Sequence, residues 1–496
     1  MNRFQLMFAL LLIGTSIQSQ EFNILDFGAK SSRKVLQTKA IQSTIDHANE
    51  AGGGKVILPK GDYLSGSIVL HSDVELHLKK GATLWGSTNP DDYIKLNRWK
   101  ALIMADQAKN IKISGKGTID GQGEAVALHL DSLFYIGELD SSDYIFPEKR
   151  PSVKVRPQLI EMVDCQNVEV IDVKLKSAAS WVQSYYKCSQ LRLDNVTVDS
   201  DTYWNNDGID IIDCQNVQIT NCNINASDDG ICIKSYGRPW HGSPFVDSLY
   251  IANCKVRSSA SAVKFGTASH GGFRNVKVEN IKVFDTFRSA LALESYGNGF
   301  LENFEIDNIK AKNTGNALFI RIGKVNKDGK AGTLKNISIT NMKVEVPFEI
   351  PDLDYRIRGP HPPYFHNVFP ASITGLPEQA VENVTLENIQ ITYPGRANKA
   401  FANLPLSRLD DVPEQAEIYP EFSMFGELPA WAFYVRHVNG ISFKNVKVKL
   451  KKSDYRPAFV FDDVKQLKLK EISIKGDSKK QQIFYHNTAK SEINSP

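Results

Sequence analysis

The sequence has no long hydrophobic segment beyond its N-terminus and no large surplus of charge of either sign. After residue 19, no apolar run approaches the roughly 20 residues of a membrane-spanning helix. We therefore expect a soluble mature protein with no membrane span. Its 59 Lys and Arg against 56 Asp and Glu leave a net charge of +3, too small and too evenly spread to favour a nucleic-acid partner. This charge is compatible with an anionic polysaccharide.

The first 19 residues have the pattern of an export signal. Arg3 supplies a positive charge, residues 4–13 form an apolar stretch, and small polar residues follow at 16–19. We predict cleavage near Ser19 and a secreted or periplasmic protein. The remaining residues, 20–496, show no internal boundary and are predicted to form a single domain.

Short alternating segments recur along most of the chain. Each has apolar residues at every second position, interrupted by one polar residue, and adjacent units start mostly 23 to 33 residues apart. In eight of these units the interrupting residue is Asn, which tolerates the left-handed backbone of a tight bend. These residues are Asn195, Asn221, Asn253, Asn280, Asn308, Asn341, Asn388 and Asn445.

Units of this length cannot bury an apolar face alone, so they must stack. Strand, bend and strand in a stacked repeat predict an all-β fold, a parallel β-helix, in which the Asn residues form a ladder. Val35, Ile41, Ile45 and Ala48 have helical spacing within residues 34–51, and we predict an N-terminal helix that caps the first coil.

The chain contains only six cysteines, which in an exported protein could form three disulfides. The repeat argues for another arrangement. Cys222 and Cys254 occupy one equivalent position, and a second position is shared by Cys165, Cys188 and Cys214. Stacked buried thiols are therefore favoured over disulfides.

Two acidic turns lie about one coil apart. Asp207 precedes Gly208, and the pair Asp228 and Asp229 precedes Gly230. Because parallel strands stack about 4.8 Å apart, successive coils place these carboxylates side by side. Their mutual repulsion should keep one of them protonated, which provides the acid and the base of glycosidic hydrolysis. Metal binding by the cluster is an alternative, since carboxylates also suit calcium.

Two long segments, residues 346–380 and 394–437, interrupt the repeat. Loops of this length are usually functional, and we expect them to line a groove. Their aromatic residues Tyr364, Tyr419 and Trp431 are candidates either for stacking on sugar rings or for holding the loops against the β-helix.

Several motifs together resemble glycoside hydrolase family 28, the polygalacturonases and their relatives. They are FNILDFGAK, GGGKVILPKGDYLSGSIVL, Asn-x-Asp-Gly at 205–208, SDDGICIKS at 227–235 and GTASHGGFRNV at 266–276. The resemblance covers residues 20–345 well. It implies a right-handed parallel β-helix that hydrolyses α-linked pectic sugars with inversion and needs no cofactor or metal. By position, it implies that Asp228 is the general acid, that Asp207 and Asp229 hold the attacking water, and that Asn205 orders the site.

The chain departs from the family pattern at two places. Ser261 stands where the family has a His, and Ala292, Leu293 and Glu294 replace an Arg-Ile-Lys that binds a galacturonate carboxylate. Replacement sugar-binding residues are predicted on neighbouring coils, and Glu294, if exposed, would disfavour a uronate. The proposed replacements are Lys234, Lys264, His270 and Arg321.

The main expectation is therefore an exported glycosidase acting on pectin or a related acidic polysaccharide, with exo action among the modes left open. Two alternatives stay open at the level of sequence. One is a β-helix polysaccharide lyase, which uses calcium and a basic residue, and the other is a β-helix that binds glycans without cleaving them. The oligomeric state is left open as well.

Overall fold

The computed structural model describes residues 20–237, 244–349, 351, 367–401, 404–476, 481–488 and 490–493. The predicted export signal and Tyr364 lie outside these residues. The strands wind into a right-handed parallel β-helix, which confirms the predicted fold class. Each coil contributes up to three strands, and equivalent strands of successive coils pair in parallel to form three long sheets.

The first sheet contains the strands of the Asn-rich repeat and includes both the N-terminal and the C-terminal described strands. Its short strands are Glu21–Asn23, Gly54–Leu58, Val74–Leu78, Lys109–Gly115, Gln166–Ile171, Ser189–Asp194, Gln215–Thr220, Val246–Ala252, Thr333–Thr340 and Lys490–Ile493.

The second sheet follows the bend after each strand of the first. Its short strands are Ser32–Leu36, Gly61–Ser65, Ala82–Gly86, Thr118–Asp120, Lys174–Lys176, Thr197–Ser200, Asn223–Ala226, Lys255–Ser258 and Lys343–Glu345.

The third sheet bears the candidate site on its outer face. Its short strands are Ile68–Val69, Ala101–Asp106, Gln158–Val163, Gln183–Tyr186, Ile209–Ile212, Ile231–Ser235, Val263–Ser269, Ala371–Thr374 and Ile483–His486.

Five longer strands continue around the corners of the coil and belong to more than one sheet. They are Phe273–Ser295, Phe300–Ile322, Val381–Tyr393, Phe433–Leu450 and Phe459–Lys475. A separate antiparallel pair, Tyr144–Ile145 and Arg150–Pro151, lies outside the three sheets. The inward side chains of all three sheets form one continuous hydrophobic core.

The α-helices are α1, Thr38–Glu50, and α2, Gly123–Tyr135. Ile41, Ile45 and Ala48 of α1 are buried in the core of the first coils, while its capping role stays a prediction. Val35 was wrongly included in the helix, because it lies in strand Ser32–Leu36 with 62% of its surface exposed. The 3₁₀ helices are Ile24–Phe27, Pro90–Asp92, Ser141–Asp143, Phe146–Glu148, Lys399–Phe401 and Leu406–Asp411. Neither α-helix has the length and apolar character needed to span a bilayer within the described chain.

The bend residues form the predicted ladder. All eight Asn residues have φ between 51° and 58°, the left-handed conformation that Asn tolerates better than most residues. Some of their side chains bond to one another from coil to coil: Asn308 Nδ2 donates to Asn280 Oδ1 at 2.6 Å, and Asn445 Nδ2 donates to Asn388 Oδ1 at 2.7 Å. Others, such as Asn221, donate instead to an Asp of the preceding coil.

The cysteines are free and buried, as the repeat predicted. The backbone N–H of Cys188 donates to the sulfur of Cys214 at 3.3 Å, so equivalent thiols of adjacent coils lie against one another. Packing, not covalent cross-linking, holds these coils together.

Candidate active site

The two acidic turns lie at the corner between the second and third sheets, one directly above the other. The Gly208 amide donates to the carbonyl of Asp229 at 2.9 Å, and the Ile209 amide donates to the carbonyl of Gly230 at 3.1 Å. Strand Ile209–Ile212 then pairs with strand Ile231–Ser235, residue 209 against residue 231. The two acidic turns therefore lie one coil of 22 residues apart, as the sequence predicted.

Both turns end in a glycine because the coils are too close for a side chain. A Cβ at Gly208 would lie 2.5 Å from the carbonyl oxygen of Gly230, and a Cβ at Gly230 would lie 2.4 Å from the Val256 side chain. Asp228 and Asp229 fall between strands Asn223–Ala226 and Ile231–Ser235. This bend allows consecutive carboxylates to share one site, which the alternation of a strand would forbid.

Asp229 is buried and surrounded by donors. Its Oδ1 accepts from the backbone amide of Ser261 at 3.0 Å, and its Oδ2 lies 3.3 Å from Lys264 Nζ. Burial acts to raise the pKa of Asp229. Lys264, Lys234 and the Ser261 amide are among the groups that outweigh burial and hold this pKa below its usual value. Asp229 is therefore the ionised carboxylate of the cluster.

Asp207 is also buried, but its electrostatic surroundings differ. Lys234 Nζ lies 3.0 Å from its Oδ2 and also binds Asp210, so two carboxylates share one ammonium group. Burial and then Asp210 raise the pKa of Asp207 well above its usual value. Burial also raises the pKa of Asp210, to about 6, against the opposing effect of Lys234.

Asp228 is the most exposed of the three carboxylates. Asn205 Nδ2 lies 3.4 Å from its Oδ2, and Asn205 is itself held by Arg156, whose Nη2 donates to Asn205 Oδ1 at 2.8 Å. Burial and the neighbouring Asp229 raise the pKa of Asp228. Two adjacent carboxyls thus have pKa values shifted in opposite directions, which favours a proton on Asp228 and a charge on Asp229.

Lys264 connects Asp229 to a residue that departs from the family pattern. Its Nζ lies 3.7 Å from Glu294 Oε2, which also accepts from Thr267 Oγ1 at 2.7 Å. Glu294 is buried, so the exposure on which its effect on a uronate depended is not present, and burial raises its pKa to about 7. Of the predicted sugar-binding residues, Asn205, Lys234, Lys264 and Glu294 lie at the carboxylates.

Arg321 and His270 lie elsewhere. Arg321 occupies the coil after Glu294, as predicted, but it is 1% exposed and its guanidinium donates to the carbonyls of Gly375 and Glu414. It therefore holds a loop and does not present its charge to a sugar, which corrects the sequence expectation. His270 is exposed on the turn after strand Val263–Ser269, at the opposite end of that strand from Lys264.

The second long loop supplies residues that the repeat could not identify. Glu421 forms an ion pair with Arg288, and Tyr419 Oη lies 3.3 Å from Lys264 Nζ. Arg288 opposes the rise in the pKa of Asp228 and contributes to the lowered pKa of Asp229. Trp431, by contrast, is buried against Tyr393, so it cannot stack on a sugar as suggested.

Asp210 was not predicted as a site residue, although the alternation of apolar and polar residues around it indicates that it faces outward. Ile209 and Ile211 are core residues, so the intervening Asp210 had to face outward beside Asp207. Arg156 carried no such signal, because its segment, Val155 to Pro157, lies between strands and its partners come from distant turns.

Aromatic residues continue the site toward the N-terminal coils. Lys234 Nζ lies 4.3 Å from the ring centre of Trp181, and the Trp181 ring lies 4.4 Å from Trp99. The guanidinium of Arg98 packs on Trp99, Tyr186 and Tyr236. The outer face of the third sheet therefore has loop residues on one side of the carboxylates and a cluster of buried and half-buried aromatic residues on the other.

The buried donor atoms do not suit a calcium ion. Oxygens of Asp207 and Asp229 and the sulfur of Cys232 lie within 4.8 Å of one another, but calcium takes six to eight oxygen ligands. Both carboxylates also have a lysine within 3.3 Å. The ammonium groups already provide the compensating positive charge.

Comparison with known proteins agrees with this geometry. A maize exopolygalacturonase is 27% identical over 297 residues, which cover 52% of this chain and 67% of the maize protein. A probable polygalacturonase from Vitis vinifera is 26% identical over 290 residues, or 54% of this chain and 55% of that protein. The chain thus matches about half to two thirds of the length of these relatives.

Among solved structures, a hyperthermoactive exopolygalacturonase from Thermotoga maritima is similar in fold, with a TM-score of 0.59 and 23% identity over 75% of this chain and 87% of that one. A Yersinia enterocolitica family 28 exopolygalacturonase has a TM-score of 0.56 and 18% identity, over 95% and 77% of the two chains. The sequence model of glycosyl hydrolases family 28 matches residues 50–349. The chain belongs to glycosyl hydrolases family 28.

Proposed function

We propose that this protein is an exported glycoside hydrolase that cleaves α-glycosidic bonds of pectin or a related acidic polysaccharide with inversion. The observation that carries the proposal is the meeting of Asp207, Asp228 and Asp229 on adjacent coils, where the pKa of Asp228 is raised and that of the adjacent Asp229 is lowered. Family membership and the similarity to polygalacturonases support the substrate class.

The reaction follows from the opposite pKa shifts of the two neighbouring carboxyls, Asp228 and Asp229. Asp228 donates its proton to the glycosidic oxygen as the bond to the anomeric carbon breaks. A water molecule attacks that carbon from the opposite face and passes a proton to Asp229, with Asp207 helping to hold the water. Lys264 and Lys234 keep Asp229 ionised, and Asn205 orients Asp228. This site requires no cofactor for the proton transfers.

The loop supports exo action. Tyr419 and Glu421 contact Lys264 and Arg288 on the C-terminal side of the carboxylates, whereas the half-buried rings of Trp99 and Tyr236 lie on the N-terminal side. A polymer would then lie along the aromatic side with one end against the loop. A long substrate should release short products with little early loss of viscosity, whereas a rapid loss would contradict exo action.

Replacing Asp228 tests the mechanism. Asp228→Asn removes the proton donor but keeps the shape of the turn, and kcat should fall on the order of 10²- to 10⁴-fold. Asp199→Asn, one coil away on the second sheet, is the matched control and should keep full turnover. Turnover on pectic fragments is measured by chromatography, and the anomer first released by NMR. Unchanged turnover in Asp228→Asn would contradict the assignment.

The same assays separate the two alternative functions. A lyase would give an unsaturated product that absorbs ultraviolet light and would lose activity with a chelator, whereas hydrolysis gives a saturated product. A protein that only binds glycans would cleave no member of a panel that includes rhamnogalacturonans. Export is tested separately, by sequencing the N-terminus of the protein recovered outside the cytoplasm, which is expected to start near Gln20.

A further inference from the structure

A column of lysines follows the outer face of the second sheet. Register pairs Lys255 with Lys282, Lys282 with Lys310, and Lys310 with Lys343. After Gln390, the column continues with Lys447. All five lysines are exposed, and successive coils separate their backbones by about 4.8 Å. A second column, two residues further along each strand, contributes Lys312, Lys449 and Lys475.

These eight lysines, the lysine face, have almost no compensating charge. Within the two columns the carboxylate is Glu345, and it accepts from Lys451, which lies outside them, at 2.5 Å. Among the residues that the structure describes, none of the eight forms an ion pair with an acid. Mutual repulsion of unpaired like charges is unfavourable, and an anionic partner bound here would relieve it.

The lysine face is also concave. Two adjoining depressions of about 370 and 320 Å³ share Gln390 and Thr392 and extend along the β-helix axis. Lysines line both sides, and Gln390, Thr392 and Ser473 add amide and hydroxyl groups that can bond to sugar hydroxyls. The groove is straight because it follows the stacking direction of the coils.

We propose that the lysine face binds an extended anionic polysaccharide, such as a polyuronate, outside the catalytic site. A linear polymer with a charge on each sugar matches a linear array of ammonium groups. Nucleic acid is less suited, because single strands require aromatic stacking surfaces and the aromatic ring in the columns, Phe284, is covered by Lys255 at 4.5 Å. A bilayer surface would require an apolar face, which these columns lack.

The surface would hold the protein on a polymer while the third sheet acts on a chain end. Binding here does not involve the three catalytic carboxylates, which lie at the corner where the second sheet meets the third. Retention on long polyuronates should therefore exceed what the catalytic site alone provides, and it should weaken as salt screens the lysines.

The test compares two triple variants of the full chain, both in an Asp228→Asn background that leaves the polymer intact. Lys310→Gln, Lys343→Gln and Lys447→Gln remove the centre of the lysine face. Lys60→Gln, Lys79→Gln and Lys80→Gln remove the same charge from exposed positions in the N-terminal coils. Retention is measured by affinity electrophoresis in gels containing polygalacturonate, alginate or uncharged dextran, at low and high salt, with thermal unfolding as the check on folding.

We expect the lysine-face triple to lose about ten-fold in polyuronate affinity, since three exposed ion pairs are worth about 0.5 kcal/mol each, and the N-terminal triple to lose little. Dextran should retain neither. Equal losses in both triples, no loss in the first, or tighter retention on duplex DNA or anionic vesicles than on polyuronate would overturn the proposal. Turnover of short oligosaccharides without the Asp228 change reports on the catalytic site alone, so failure of the proposed function remains distinguishable.

Discussion

Lys264 shows how a single residue determines the protonation of the site. Its ammonium group lies between Asp229 and Glu294, with Tyr419 as a third contact. Without this cation, burial would raise the pKa of Asp229, as it raises the pKa values of Glu294 and Asp207. In the described part of the site, the cations Lys264 and Arg288 are both engaged by acids.

Lys264→Met should therefore move the acid side of the activity profile. Losing the cation raises the pKa of Asp229, so the base becomes protonated at higher pH, and the acid limb of kcat/KM shifts upward. Breaking this buried pair should also cost about 3–5 kcal/mol in the free energy of unfolding.

Adding Glu294→Gln to Lys264→Met is the control for that effect. The double variant removes one of the two acids that Lys264 leaves unpaired, so part of the stability should return while the shifted pH limb remains. Urea unfolding and kcat/KM against pH measure the two quantities. An unshifted acid limb in both variants would show that Lys264 does not set the charge of Asp229.

At the scale of elements, the loop after residue 404 affects the site through charge as well as shape. Glu421 is paired with Arg288 close to Asp228 and Asp229. Its negative charge offsets the effect of Arg288, which otherwise lowers the pKa of Asp228.

Glu421→Gln should consequently lower the pKa of Asp228. The general acid then loses its proton at lower pH, and the basic limb of the kcat profile shifts downward. Glu417→Gln is the control, because Glu417 is an exposed carboxylate of the same loop whose carbonyl, and not its side chain, accepts from Tyr296 Oη at 2.6 Å. A pH profile of Glu421→Gln that matches the control would contradict an electrostatic role for the loop.

The bend between the first and second sheets is the other element with a measurable contribution. Asn308 has φ of 54° and bonds to Asn280. Asn308→Gly should lose the ladder bond, about 1 kcal/mol, while Asn308→Ala should lose about 1–2 kcal/mol more, because Ala resists the left-handed backbone. Glu305→Ala, an exposed change on the same strand, is the control in denaturant unfolding. Equal costs for Gly and Ala would show that backbone conformation is not the reason for Asn here.

The repeat made the coil architecture and the meeting of the acidic turns predictable, because residues one repeat apart in the sequence lie next to each other in stacked coils. The same logic failed for Arg321. The register placed it correctly, one coil after Glu294. Its guanidinium, however, donates to the carbonyl of Glu414, in a loop more than 90 residues further along the chain. Tyr419 and Glu421 could not be located for the same reason, since a loop has no repeat to fix where its side chains lie.

At the scale of the whole molecule, the coils form one continuous core without covalent links. All six cysteines are free and buried. Five of them lie in this core, where Cys188 and Cys214 occupy adjacent coils. The sixth, Cys232, lies on the outer face beside Asp229. Access to the five core thiols requires coils to separate, and access to Cys232 requires the carboxylate site to open.

A thiol reagent should therefore report unfolding of the solenoid directly. The native protein should react slowly or not at all, and denaturant should expose six thiols over the same concentration range in which circular dichroism reports the loss of strands. Reductant should leave the midpoint unchanged, because no disulfide contributes to stability. If two or more thiols react in the native state, or if reductant lowers the midpoint, the core is not closed around these cysteines as described. Reaction in two separate steps would instead show that the coils around residues 165–254 unfold separately from the rest. Solenoids can unfold in this way because each repeat contacts only its neighbours.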